Sequence, residues 1–235
     1  MTSSIVIDQR FHGPPGSGNG GYTCGVLASF VNEPAQVTLR RPPPLDRSLS
    51  VVRRGRRAEL FDGNQLVADA ERTDLEPLDL ERPPSLAEAE RAAAAYAGFR
   101  SHAFPTCFVC GPEREEGDGL RIFAGPVEER TRLVAAPWTP AANLGGPDGR
   151  VRREFVWAAL DCPGAFAVGY PDRGETLLGR LAARLESLPR VEERCVVVGW
   201  PLGEDGRKLY AATALFRETG DVLAWAKATW IVPRE

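Results

Sequence analysis

Asn19-Gly20-Gly21-Tyr22-Thr23-Cys24-Gly25-Val26-Leu27-Ala28-Ser29-Phe30-Val31 opens on an amide and two glycines and then runs apolar nearly all round. A helix without a polar face belongs in the interior. A buried helix is therefore expected from about Gly20 to Asn32, ended by Pro34. A second such helix is expected over Arg153–Val168, where Val156-Trp157-Ala158-Ala159-Leu160-Asp161 is equally apolar but carries an acid and no opening glycines. A strand-rich segment follows each helix. The ends of those segments also match: Leu60-Phe61-Asp62-Gly63-Asn64-Gln65-Leu66-Val67-Ala68-Asp69-Ala70 resembles Leu215-Phe216, a turn through Gly220, and Asp221-Val222-Leu223-Ala224-Trp225-Ala226. The chain reads as an internal repeat whose copies carry different pieces of one site.

Working outward, residues 5–11 alternate as a strand, and His12 to Gly18 is a loop by composition. Strands are expected at Gln36–Arg41, Ser48–Arg54, Arg57–Phe61 and Gln65–Glu71, the last two joined by a hairpin at Asp62-Gly63-Asn64. An alanine-rich connector helix, Leu86 to Phe99, has Ser85 as N-cap and Glu88 three residues on, a capping box. The second copy offers strands at Gly119–Phe123, Arg130–Ala136, Leu177–Glu186, Arg194–Trp200, Lys208–Phe216 and Val222–Val232. These elements divide the chain into an N-terminal module (1–80), a connector (81–104) and a C-terminal module (105–235). Each module is a long antiparallel sheet with one buried helix, an α+β pattern.

Composition narrows the function classes. At 235 residues the chain can bury a real core. The net charge of -3 argues against a dedicated nucleic-acid binder. No run approaches the ~18 apolar residues of a membrane span, and Met1-Thr2-Ser3-Ser4-Ile5 has neither the basic flank nor the apolar core of a signal peptide. A cytoplasmic protein without nucleic-acid or membrane partners is expected. The five cysteines, Cys24, Cys107, Cys110, Cys162 and Cys195, are odd in number and mostly in apolar runs, which fits reduced thiols used as small hydrophobes. Cys107 and Cys110 have zinc-knuckle spacing and His102 is a conceivable third ligand, but no second pair exists. The reading taken is of turn-forming core cysteines, with no metal and no cofactor.

Two stretches resemble a known family. Cys107-Phe108-Val109-Cys110-Gly111-Pro112, followed by Gly119-Leu120-Arg121-Ile122, is similar to the opening of many small hotdog acyl-CoA thioesterases, with Glu115-Glu116-Gly117-Asp118 in place of their Asn-Pro turn. Those proteins also carry a His-Gly-Gly or Asn-Gly-Gly opening with an acid seven residues after the second glycine. In the first copy Asn19-Gly20-Gly21 fits the opening and the acid position falls at Ala28; in the second Asp161 fits the acid and the glycine positions fall at Arg153 and Glu154. The resemblance implies a double hotdog, two fused modules each with an antiparallel sheet wrapped round a central helix. In a hotdog dimer the helices run antiparallel, so the opening of one copy would face the acid of the other. One composite site is then expected, from Asn19-Gly20-Gly21 and Asp161, and its reciprocal is expected to be dead.

Thioester hydrolysis needs an oxyanion hole and a nucleophile or activated water. In this reading the N–H of Gly21 or Tyr22, at the helix N-terminus, holds the carbonyl oxygen. Gly20 and Gly21 allow close approach. Asp161 attacks or orients a water, with desolvation raising its basicity. Asn19 hydrogen-bonds the carbonyl or the water, and Trp157, one turn before Asp161, lines the acyl pocket. The basic cluster Arg53-Arg54-Gly55-Arg56-Arg57 supplies Arg54 and Arg56 to coenzyme A phosphates. The residues also allow plainer readings: a tight turn at Gly20-Gly21, a satisfied buried acid or helix cap at Asp161, and a solvated arginine face. Three functions compete: an acyl-CoA or acyl-carrier thioesterase; a non-catalytic acyl-ligand binder; and a His-dependent hydratase or dehydratase, against which stands the presence of only His12 and His102, both read as loop residues. Acyl-CoA is the expected partner, and hotdog pairing implies a homodimer.

Overall fold

The computed structural model describes residues 2–31, 34–76, 78 and 82–234. The expected end of the first helix at Asn32 and part of the connector lie outside the described residues. The first copy contains β1 (Thr2–Val6), α1 (Gly20–Ala28), β2 (Ala35–Leu39), β3 (Ser48–Arg54), β4 (Arg57–Asp62) and β5 (Gln65–Arg72). The connector carries α2 (Leu86–Ala94). The second copy contains β6 (Gly125–Pro126), β7 (Val134–Trp138), α3 (Arg153–Ala159), α4 (Cys162–Ala167), β8 (Leu177–Leu185), β9 (Cys195–Asp205), β10 (Lys208–Arg217) and β11 (Val222–Ile231).

The described strands form one 11-stranded sheet in the order β1-β3-β4-β5-β2-β8-β11-β10-β9-β7-β6. The halves meet edge to edge at β2 and β8, antiparallel, with Ala35 opposite Ala183 and Thr38 opposite Arg180. The period of two along each strand sorts the core into two layers. Leu181, Ala183, Cys195, Val197 and Leu215 face the layer that holds α1 and α3. Ala182, Val196, Val198, Ala214 and Phe216 face the other, where Ala89 and Ala92 of α2 pack over β6, β7 and β9. The connector helix is thus a strap on the outer face, started by Ser85, whose backbone N–H donates to Glu88 while its hydroxyl accepts from the Glu88 N–H.

Four local expectations are corrected. The connector helix does not reach Phe99: it ends at Ala94, and Tyr96 at φ -55, ψ 122 separates it from a 3-10 turn at Ala97–Phe99. Residues 5–11 do not form one strand: β1 ends at Val6 and a 3-10 turn follows at Gln9–Phe11, capped by Asp8. Gly119–Phe123 is not a sheet strand. Arg121 sits at φ 53, and the N–H groups of Leu120 and Ile122 donate to the carbonyls of Phe108 and Val109 instead of to a sheet neighbour. Arg153–Val168 is not one helix. Pro163 lacks an N–H and its ring clashes with the preceding turn, so α3 stops at Ala159 and α4 starts at Cys162, with Asp161 at φ -81, ψ -81 in the break. The carbonyl of Leu160 freed there accepts from the Thr213 hydroxyl at 2.7 Å.

Candidate active site

The site is built where α1 and α3 cross. A Cβ added at Gly21 would lie 2.4 Å from the Asp161 Cβ and 2.9 Å from the Trp157 carbonyl; one at Gly25 would lie 2.6 Å from the Glu154 Cα and 2.7 Å from the Trp157 Cβ. Advancing along α1 from Gly21 to Gly25 therefore means moving back along α3, so the helices run antiparallel. Glycine is required at both positions because the two backbones touch. Asp161 is thereby set against the N-terminus of α1.

Its carboxylate is held from the other copy. Oδ2 accepts from the Gly21 N–H at 2.9 Å and from Asn19 Nδ2 at 3.1 Å. Asn19 is also the N-cap of α1, its Oδ1 accepting from the Tyr22 N–H at 2.9 Å. Asp161 is 2% exposed, and its Oδ1 has no hydrogen-bond partner among the described residues. Burial pushes the carboxyl up to about 7; the Gly21 N–H opposes this, the Cys107 sulfur adds to it, and Asn19 opposes it more weakly. A buried acceptor left unpaired in a native fold is uncommon and points to a bound molecule or water.

Asp161 and Asn19 line a cavity of about 410 Å³, within the range of small-molecule sites. Its walls are largely apolar, with Leu39, Phe104, Phe166, Leu178, Trp230 and Ile231 among them. Three thiols share the same floor. Cys107, Cys110 and Cys162 are buried, with sulfurs all within 4.8 Å of one another. Asn19 Nδ2 lies 3.8 Å from Cys107 Sγ, and His102 Nε2 lies 3.3 Å from Cys110 Sγ. Hydrogen bonds from the Cys110 and Cys162 thiols hold Cys107 well below its ordinary value, whereas burial pushes Cys110 up and the neighbouring Cys107 sulfur pushes Cys162 up.

Of the residues singled out in the sequence, Asn19, Gly20, Gly21 and Asp161 come together, and Gly20 lines the cavity. Four roles are corrected. The N–H groups of Gly21 and Tyr22 are taken by Asp161 and Asn19, so neither is open to a carbonyl oxygen. Tyr22 does not line the cavity; its ring stacks on Phe11 at 4.2 Å within a cluster that includes Phe108 and Phe155. Trp157 does not line it either, because it is fully buried against Gly25 at the helix crossing. Arg54, the last residue of β3, and Arg56, in the β3–β4 turn, are exposed, and Arg54 pairs with Glu59 at 3.1 Å. The arginines that do line the cavity are Arg40 and Arg41, both exposed, at the end of β2. Their only signal in the sequence is a basic pair before Pro42-Pro43-Pro44. Trp230, also missed, lines the cavity with its Nε1 unpartnered among the described residues.

No family model matches the chain, and no curated protein matches it in sequence. Solved structures do. The TesB protein of Mycobacterium avium subsp. paratuberculosis superposes with a TM-score of 0.61 at 15% identity over 99% of this chain and 93% of that one. The acyl-CoA thioesterase II TesB2 of Mycobacterium marinum superposes with a TM-score of 0.64 at 9% identity over 100% and 93%. Identity this low speaks to fold alone, but it does so over the whole length of the chain. With two sheet halves joined edge to edge and two antiparallel central helices, the chain has the double hotdog fold that these thioesterase structures share.

Proposed function

We propose that the protein hydrolyses acyl thioesters, of coenzyme A or of an acyl carrier, at the single composite site formed by Asp161 and the start of α1. The observation that carries this reading is a buried carboxylate at the end of an apolar cavity, held through one oxygen by the other copy and left with its second oxygen unpaired. That oxygen can take a proton from an attacking water, or attack the thioester carbonyl itself. Asn19 and the Gly21 N–H orient the carboxylate instead of binding substrate. Gly20, the first residue of α1, lines the cavity, and its N–H is assigned here as the backbone donor to the developing oxyanion. Arg40 and Arg41 supply positive charge where a phosphorylated carrier would enter. Arg40 already pairs with Asp69 at 2.5 Å, leaving Arg41 the better candidate.

The test is thiol release from a panel of short, long and aromatic acyl-CoA thioesters, with wild type and Asp161→Asn side by side and the signal of protein thiols subtracted. The substituted amide keeps an oxygen for Gly21 and Asn19 but cannot accept a proton. A fall of ~100-fold or more in kcat is expected. No turnover on any thioester, with acyl-CoA still bound, overturns hydrolysis and leaves a binding protein.

A further inference from the structure

Among the described residues the three thiols on the cavity floor form the one cluster of metal-ligating side chains with mutually close donor atoms. The hydrolytic reading does not use them. Cys107 and Cys110 come from a turn in which the Gly111 N–H donates to the Cys107 carbonyl at 2.9 Å, and a Cβ at Gly111 would lie 2.5 Å from the Cys107 nitrogen. Only glycine lets that turn close and bring both sulfurs to one side. Cys162 arrives from a segment 55 residues away, at the break forced by Pro163, and places its sulfur 3.9 Å from that of Cys107. A tetrahedral ion with ~2.3 Å bonds to sulfur holds its sulfurs about 3.8 Å apart.

We propose that Cys107, Cys110 and Cys162 bind a thiophilic divalent cation, Zn²⁺, as three thiolates, with the fourth position on the cavity side. All three cysteines line the cavity. Two of the three sulfurs have a polar side chain facing them. Asn19 Nδ2 faces Cys107. His102 Nδ1 accepts from the Phe104 N–H at 3.0 Å and lies 3.0 Å from the Tyr170 hydroxyl, so the proton of the neutral ring belongs on Nε2, facing Cys110 Sγ. His102 is then a partner that orients a ligand and donates to its sulfur, in the manner of outer-shell groups at metal sites. Soft thiolates select zinc over magnesium, calcium or manganese. The sequence expectation of no metal rested on the lack of a second cysteine pair; one cysteine from α4 serves in its place.

The experiment is metal analysis of the full chain, purified under reducing conditions and desalted, with Cys110→Ser, Cys162→Ser and, as a control away from the cluster, Cys24→Ala. The expected result is about one zinc per chain in wild type and Cys24→Ala, lost in both cluster variants. Reconstitution of wild type with Co²⁺ should give intense thiolate-to-cobalt charge-transfer absorption, a readout that stands if the serine variants fail to fold. A reduced wild type that binds neither ion, a cobalt spectrum without thiolate bands, zinc retained by Cys162→Ser, or a Cys107–Cys162 disulfide in its place would overturn the proposal. The readout needs no substrate, and Asp161→Asn should keep its zinc whether or not the chain hydrolyses thioesters.

Discussion

Gly21→Ala tests the composite site most directly, because it pushes its two halves apart. The new Cβ would sit 2.4 Å from the Asp161 Cβ and 3.0 Å from the Ala158 Cα, where ordinary contact begins near 3.4 Å. Neither neighbour is the far end of a flexible side chain, so α1 and α3 must separate by about 1 Å. The 2.9 Å bond from the Gly21 N–H to Asp161 Oδ2 would then stretch beyond hydrogen-bond length. Overpacking of this kind costs about 1–3 kcal/mol, against a gain of up to ~1 kcal/mol for alanine over glycine in a helix. At the middle of both ranges the net loss is about 1.5 kcal/mol, a fall in Tm of about 3–6 °C for a chain of this size. Misplacing the carboxylate by about 1 Å should lower turnover by ~100-fold. Gly25→Ala, one turn along, meets the Glu154 Cα at 2.6 Å, so it opens the crossing at the end away from Asp161. It should cost similar stability and much less activity. Thermal unfolding and thiol release on both variants decide the matter. A Gly21→Ala protein with unchanged Tm would refute the helix contact. One that is destabilised yet fully active would show that the Gly21–Asp161 bond is structural only.

Two further outcomes follow from individual contacts. Asn19→Ser keeps an oxygen to cap Tyr22 but loses the amide that reaches Asp161, so it should stay within about 1 kcal/mol of wild type in denaturant unfolding while kcat falls; Asn19→Ala should lose the cap as well and be about 1–2 kcal/mol less stable. Asp118 links the N-terminal and cysteine-bearing segments through Arg10 and Arg114, the latter 2.5 Å away. Partial burial pushes its carboxyl up, but the two guanidinium groups outweigh this and hold it below its ordinary value. A depressed folded value means stability that is present at neutral pH and lost as pH falls through that value. Asp118→Asn should thus lower stability at pH 7 by about 0.5–1 kcal/mol, discounted for exposure, with the difference from wild type shrinking in pH-dependent melting curves as pH falls through the depressed value of the carboxyl.

Much of the fold was legible because burial leaves a local record. Two helices without polar faces, strands of period two and the hairpin at Asp62-Gly63-Asn64 each follow from how one segment partitions between water and core. Ser85 and Glu88 announce the start of α2 in the same way. The places where local reading failed share a cause. Gly119–Phe123 has strand-like residues, but its amides find the Phe108 and Val109 carbonyls first. Trp157 lies one turn from Asp161 in sequence, yet its side chain is directed by the facing glycine of α1, not by its own helix.

The sequence by itself determined which residues are buried, and that an amide-glycine opening and an acid occur once each, in opposite copies. Only the tertiary structure decided that they meet. It takes the antiparallel crossing at Gly21 and Gly25 to set Asn19 on Asp161, and the break at Pro163 to turn Cys162 toward Cys107 and Cys110. It also takes the fold to leave Arg41, and not Arg54 or Arg56, beside the cavity. Hydrophobic periodicity records that a side chain leaves water but carries no direction between segments, whereas hydrogen bonds and metal ligation act over about 2–4 Å and depend entirely on how the packed elements are aimed.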